Sequence, residues 1–180
     1  MNTRLSKLVA LVVGLGVVAT VLIGLAATAL AGRLIPHGQG IAGGPGGQFF
    51  SEMGAFNQLP CGTRPKHILI RSGHKIDSIG LTHVRLDGSG FWTGTYGGRG
   101  GVQRQIDLAD GEDIIAMEGT FGEHVHQIRF ITNRGVTPMF GETVGPHPFH
   151  FTAQPGCRIV GFHGRAGALV DAIGPLLDCL

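Results

Sequence analysis

Apolar and polar positions alternate in His67-Ile68-Leu69-Ile70 and in Gln127-Ile128-Arg129-Phe130-Ile131. This pattern predicts antiparallel strands with one buried and one wet face. From residue 43 to residue 180 the chain is a succession of such short apolar runs: HILIRS, DSIGLTHVRL, QIDLA, DIIAMEG, QIRFITN, PFHFTA, CRIVGFHG and VDAIGPLLD. Gly, Pro, Asn or Asp separate them, and none has a helical period over a useful length. The expectation is an all-β domain of repeated hairpins, closed as a prism, sandwich or barrel.

The first 31 residues follow a different pattern. Arg4 and Lys7 precede an apolar run from Leu8 to Leu25, and the small-residue stretch AATALAG follows it. Ala29-Leu30-Ala31 fits a signal-peptidase site, so residues 1–31 read as a signal peptide. The run also approaches the roughly 20 residues that cross a bilayer, so an uncleaved anchor is the alternative. Both readings place the rest of the chain outside, either secreted or membrane-anchored with the domain facing outward. Residues 32–42, with Pro36, Gly38 and Gly40, read as a linker. The domain then occupies residues 43–180.

Two internal echoes run through that domain. RSGHKIDSIG at Arg71 to Gly80 and RAGALVDAIG at Arg165 to Gly174 agree at Arg, Gly, Asp, Ile and Gly in one register. GGPGG at Gly43 to Gly47 and GGRGG at Gly97 to Gly101 form a second pair. One supersecondary unit is used more than once, and each copy combines a glycine loop with a Gly-x-x-x-Asp hairpin loop. Loops on a rigid sheet scaffold are where binding groups usually sit.

Composition narrows the partners. Glycine supplies 32 of 180 residues and charged residues only 14%, which favours tight turns and backbone close to a ligand. Without residues 1–31 the 14 basic residues fall to 12, against 12 acidic ones. Such a neutral domain, with Lys66 and Lys75 as its lysines, lacks the basic footprint that nucleic acid or an anionic membrane surface requires. A membrane enters only through an uncleaved N-terminal segment.

Cys157 and Cys179 lie symmetrically about residue 168, inside the second Gly-x-x-x-Asp loop, so antiparallel strands leaving that loop place them opposite each other. A disulfide between them is expected in an oxidising, exported setting. Cys61 is left as the odd thiol and reads as a small unpaired hydrophobe, an intermolecular bond being the alternative.

The residues GGPGGQFF, SGHKIDSIGL, YGGRGG, QIDLADGEDI, GTFG, RFITNRG, Phe140-Gly141 and IVGFHGRAGALVDAIG, in this order and spacing, resemble the jacalin-related lectins across the whole domain. The resemblance implies a β-prism of three four-stranded Greek-key sheets with pseudo-threefold symmetry, the first and last chain segments sharing one key. It implies a carbohydrate site made by Gly47 with Gly167, Ala168, Leu169 and Asp171. An ionised carboxylate such as Asp171 accepts two hydroxyl bonds from one sugar ring, and backbone N–H groups supply the complementary donors. A second site at Gly73, His74, Lys75, Ile76 and Asp77, facing Gly101 of the GGRGG loop, is open; the competing reading of Asp77 is turn structure. In the third copy, Gly122-Glu123-His124-Val125-His126, histidine replaces the aspartate, so no third equivalent site is expected. Glu123 or His124 is expected to border the primary site instead.

Galactose-preferring members of that family use a chain terminus cut at the glycine matching Gly47. Here Gly47 is internal, which favours mannose- or glucose-type glycans. The expected activity is non-catalytic binding without cofactor or metal, strengthened by multivalency in a homo-oligomer or through two sites per chain. Two rivals remain: a glycosidase drawing acid and base from Asp77, Asp171, Glu123 or the nine histidines, and a structural or adhesive module with idle loops. His124-x-His126 and His147 to His150 offer no third and fourth ligand at zinc spacing, so they read as surface histidines. Trp92 and Tyr96 are candidate stacking platforms beside the second site, with core packing as the alternative for Trp92.

Overall fold

A computed structural model describes residues 37–38, 40–56, 63–84 and 87–179. The expected signal segment and Cys61 lie outside the described residues. The strands are β1 (His37–Gly38), β2 (Ala42–Gly43), β3 (Gln48–Ser51), β4 (Arg64–Ser72), β5 (Ile76–Val84), β6 (Gly90–Gly97), β7 (Val102–Asp107), β8 (Ile114–Phe121), β9 (Val125–Thr132), β10 (His147–Thr152), β11 (Cys157–Ala166) and β12 (Val170–Cys179). One helical turn, α1 (Met53–Phe56), follows β3.

Three hairpins organise them. The β4–β5 hairpin is flanked by β6 on β5 and β7 on β4. The β8–β9 hairpin carries β10 on β8, and residues 136–140 lie against β9 through Ile131↔Val136 and Ile128↔Phe140. The β11–β12 hairpin takes β1 and β2 on β12 and β3 on β11. With β1 and β2 taken as one interrupted edge strand and residues 136–140 as the fourth member of the β8–β9 group, each group is a four-stranded Greek key with the same order, and together they form a β-prism. In one key the hairpin comes from the end of the chain and the flanking strands from its beginning. That key touches the β8–β9 key edge to edge through Ile159↔Ile114.

The core follows from alternation. β4 buries Ile68, Ile70 and Ser72, and β9 buries Ile128, Phe130 and Thr132. With Ile79, Leu81, Ile114, Met117, Ile159, Phe162 and Ile173 these apolar residues make one central cluster, each fully buried side chain contributing about 1.5–3 kcal/mol. Phe130 and Phe162 from different keys meet there with ring centroids 5.7 Å apart. β12 departs from alternation, being buried from Val170 to Asp178.

Two polar features sit inside. Arg158 Nη2 bonds Asp178 Oδ2 at 2.7 Å, a buried pair, next to Cys157 and Cys179, which face each other in the β11–β12 register and are bonded. Glu52 is wholly buried after β3. It accepts hydrogen bonds from Thr93 Oγ1 and, at 2.7 Å, from the Phe162 N–H. Burial pushes its carboxyl up to about 7, with those hydrogen bonds pulling back. Among the described residues no helix is long and apolar enough to cross a membrane.

Candidate functional site

The loop of each central hairpin and the loop before each fourth strand lie at one end of the prism. In the first key, β2 runs into GGPGG and β12 starts at the Gly-x-x-x-Asp loop. Gly44 N–H donates to the Asp171 carbonyl at 2.9 Å, and Gly167 N–H donates to the Leu169 carbonyl at 2.8 Å. The two loops fit so tightly that a Cβ at Gly47 would lie 2.4 Å from Asp171 Oδ2 and 2.5 Å from the Ala166 carbonyl carbon. Gly47 also holds φ +60, which disfavours any other residue. The sequence-expected members Gly47, Gly167, Ala168, Leu169 and Asp171 are thus brought together.

Asp171 is 6% exposed, and its Oδ2 has no hydrogen-bond partner among the described residues. A buried acceptor of this kind carries a desolvation cost that an incoming hydroxyl would remove. Among the described residues no hydrogen bond is seen for the N–H groups of Gly47, Ala168 or Leu169, which belong to the two loops that meet at this carboxylate.

The second key repeats this frame atom for atom. Gly98 N–H donates to the Asp77 carbonyl at 2.8 Å, and Gly73 N–H to the Lys75 carbonyl at 3.1 Å. A Cβ at Gly101, φ +58, would lie 2.4 Å from Asp77 Oδ2 and 2.4 Å from the Ser72 carbonyl carbon. Of the expected second-site residues, Gly73, Asp77 and Gly101 therefore converge. His74 and Lys75 turn to the third key instead: the His74 carbonyl accepts from Thr143 N–H at 2.9 Å, and Lys75 Nζ lies 3.3 Å from His124 Nδ1.

Each frame has a clamp that sequence reasoning left without a role. Arg165 donates through Nε to the Gly46 carbonyl at 2.6 Å and through Nη2 to the Gly47 carbonyl at 2.8 Å. Arg71 does the same to the Gly100 and Gly101 carbonyls at 2.8 and 3.0 Å. A planar guanidinium with two charge-assisted bonds fixes the orientation of the glycine-loop peptides. The available signal was the arginine that opens both RSGHKID and RAGALVD.

The third key keeps the backbone and loses the chemistry. A Cβ at Gly141, φ +84, would sit 2.0 Å from the His126 carbonyl oxygen, as at Gly43 and Gly97 against Asp171 and Asp77. The aspartate position holds His126, bonded to the Val144 backbone and held below the usual histidine range, chiefly by burial. Val144 and Pro146 stand where the other loops have Gly46 and Gln48, or Gly100 and Val102.

The aromatic expectation is corrected. Tyr96 stacks on Phe50 at 4.3 Å and donates to the Thr93 carbonyl, so it belongs to the interior. Trp92 is 60% exposed, which removes the core alternative. On β6 it pairs with Thr82 of β5, five residues from Gly97 and so about 16 Å along an extended strand, too far to stack on a sugar at Asp77. Phe49, 65% exposed and opposite Arg165 in the β3–β11 register, is the aromatic beside a frame. Concavities of about 570 Å³ beside Arg104 and Met139 and about 460 Å³ beside Glu118 and His150 lie elsewhere; the two frames form an open rim.

A β-prism whose rim carries glycine loops over Gly-x-x-x-Asp turns, with unpaired acceptor and donors, defines a carbohydrate-binding class of protein, the lectins. The Jacalin-like lectin domain family matches residues 39–176, and the chain belongs to that family. It is 36% identical to horcolin of Hordeum vulgare over 111 residues, 58% of this chain and 75% of that protein. It is 33% identical to a mannose/glucose-specific lectin of Parkia pendula over 154 residues, 78% of this chain and 32% of that protein. Among solved structures, a mannose-binding jacalin-related lectin from Ananas comosus has a TM-score of 0.67 at 33% identity, covering 82% of this chain and all of that one. Wild-type Malaysian banana lectin gives 0.68 at 32%, covering 83% and 100%.

Proposed function

We propose that the domain binds mannose- or glucose-type glycans, without catalysis or metal, at two sites. At the primary site Asp171 accepts hydroxyls while the Gly47, Ala168 and Leu169 N–H groups donate. The second site uses Asp77 with the Gly73 and Gly101 backbone. The carrying observation is the duplicated frame with its unsatisfied Asp171 Oδ2. The reading is supported by the mannose/glucose-specific Parkia lectin and the mannose-binding Ananas lectin to which the chain is similar, by a 27%-identical Calystegia sepium lectin (Calsepa) solved with a biantennary N-glycan, and by Gly47 being internal to its loop. Each carboxylate is enclosed in its own glycine loop, an arrangement for holding hydroxyls rather than for paired acid and base.

We further propose that the domain works outside the cell, which the Cys157–Cys179 bond favours. Monosaccharide affinity at such an open rim is weak, and two sites per chain, or a homo-oligomer, supply avidity. The test is a glycan array with mannose and galactose competition on the protein, Asp171→Ala and Asp77→Ala. Mannose-inhibited binding should fall roughly 100-fold or more at the mutated site, the worth of about two charged hydrogen bonds. Folded protein that binds no glycan would transfer the domain to the structural or adhesive reading.

A further inference from the structure

We infer that His124 makes the two glycan sites unequal: the Asp171 site binds sugar while His124 is neutral and weakens on acidification, whereas the Asp77 site keeps its affinity. The inference rests on the glycan-binding reading of both frames.

The three hairpin loops interlock around the rim. A Cβ at Gly44 would lie 2.4 Å from the Glu123 carbonyl oxygen, and a Cβ at Gly98 would lie 2.2 Å from that of Ala168. The loop bordering the primary site is therefore Glu123-His124, and the loop bordering the second is Ala168-Leu169. His124 and Leu169 occupy equivalent positions, so frames that agree atom for atom are bordered by a titratable ring in one case and an aliphatic chain in the other. The consequence is visible at the carboxylates. His124 Nε2 stands 3.6 Å from Asp171 Oδ1, while among the described residues Asp77 forms no ion pair.

The second contact of His124 suits a neutral ring. Lys75 Nζ lies 3.3 Å from Nδ1, and an ammonium group only donates. In the neutral ring that carries its proton on Nε2, Nδ1 accepts from Lys75 and the Nε2 N–H faces Asp171. At 3.6 Å that N–H is beyond hydrogen-bond distance, so Oδ1 remains available to a sugar hydroxyl.

Protonation reverses the balance. Nδ1–H then faces the Lys75 ammonium, donor against donor and charge against like charge. The ring moves away from Lys75 toward Asp171, and the resulting ion pair occupies Oδ1. A sugar that used both carboxylate oxygens keeps one. The charged groups around His124 are Lys75 on the β4–β5 loop, Asp171 at the start of β12, Glu123 beside it in sequence, and His126 on β9, which feels the charges of Lys75 and His124. The His74–Glu142 pair, 3.3 Å apart, lies on the loops joined to Lys75. Lys75 and His126 oppose protonation of His124; Asp171 and Glu123 favour it. Acidification from about pH 8 to about pH 5 spans the range over which histidine side chains in general change charge.

The experiment is calorimetric titration with methyl α-mannoside at about pH 8 and about pH 5. The proteins are Asp77→Ala, which keeps the primary site; Asp171→Ala, which keeps the second; and Asp77→Ala with His124→Leu. The expected result is an affinity loss of about tenfold on acidification in Asp77→Ala, corresponding to loss of one charged hydrogen bond. Asp171→Ala should change less than about twofold, and His124→Leu, copying Leu169, should remove the pH dependence. Equal affinity at both pH values in Asp77→Ala, or a loss that persists with His124→Leu, overturns the inference while leaving the glycan sites standing. No mannoside binding by either single variant at pH 8 overturns the glycan reading itself, and the inference with it.

Discussion

The second and third keys share their strand order, hairpin loop and positive-φ glycine at Gly97 or Gly141, yet one encloses a carboxylate in its glycine loop and the other does not. In the second key the loop backbone wraps a carboxylate and Arg71 clamps its peptides. In the third the carboxylate is replaced by His126, and the Glu142 and Thr143 N–H groups are spent on the Gly73 and His74 carbonyls. The fold therefore copies a backbone cradle three times, and a few side chains decide where it becomes a site. The first and second keys then differ by degree: Asp171 is buried beside His124, whereas Asp77 is half-buried and Arg71 Nη1 bonds Gln103 at 3.0 Å.

Altering the cradle itself should have the largest effect. Gly47→Ala forces a Cβ to 2.4 Å from the carboxylate at φ +60, and thermal melts with mannose titration should show lost primary-site binding and a destabilisation of about 1–3 kcal/mol. Gly167→Ala, whose Cβ would meet nothing nearer than 3.6 Å, should be tolerated. If the two variants behave alike, tight enclosure of Asp171 is not what forms the site.

Glu52 contrasts with the rim carboxylates, being hydrogen-bonded where Asp171 Oδ2 is unpaired. Burial raises its carboxyl from the ordinary 4.5 to about 7, so the folded state binds its proton more tightly than the unfolded state. Stability is full below about pH 4.5, falls as pH rises, and levels off above about pH 7, a change of roughly 3 kcal/mol. Denaturant midpoints across that range should show the slope, and Glu52→Gln should flatten it.

Replacing the clamps gives a smaller effect. Arg165→Lys should weaken the primary site about tenfold and Arg71→Lys the second, because a lysine cannot hold two carbonyls in one plane; site-resolved NMR titration reads both. The smallest change is expected from His126→Asp, which restores a carboxylate but leaves Val144, Pro146 and the engaged N–H groups in place. Sugar stoichiometry should not rise, and a gained third site would break the contrast between the keys.

Much of this was legible in the chain. The paired RxGxxxD and glycine clusters mark two cradles because glycine is required where backbone meets carboxylate, and the symmetric cysteines mark the β11–β12 register. The clamps were visible as repeated arginines, but their acceptors lie 29 and 118 residues away, so no local pattern named them. Nothing local in FFSEMG marks Glu52 as buried; Thr93 of another key closes over it. The Lys75–His124–Asp171 chain joins three keys, and residues 136–140 pair with β9 through isolated bridges without a strand-like pattern. Trp92 and Tyr96 lie on one strand, and which of them faces inward depends on the Gly80/Thr82 bulge in the partner strand.

The central claim is that two of three equivalent cradles are sugar sites. A crystal structure of the protein with a mannose oligosaccharide tests it most directly. Sugar hydroxyls on both Asp171 and Asp77, with the Gly141–His126 cradle empty, is the predicted result. Sugar bound instead in the groove beside Arg104 and Met139, or at His126 with both aspartates unengaged, would contradict it.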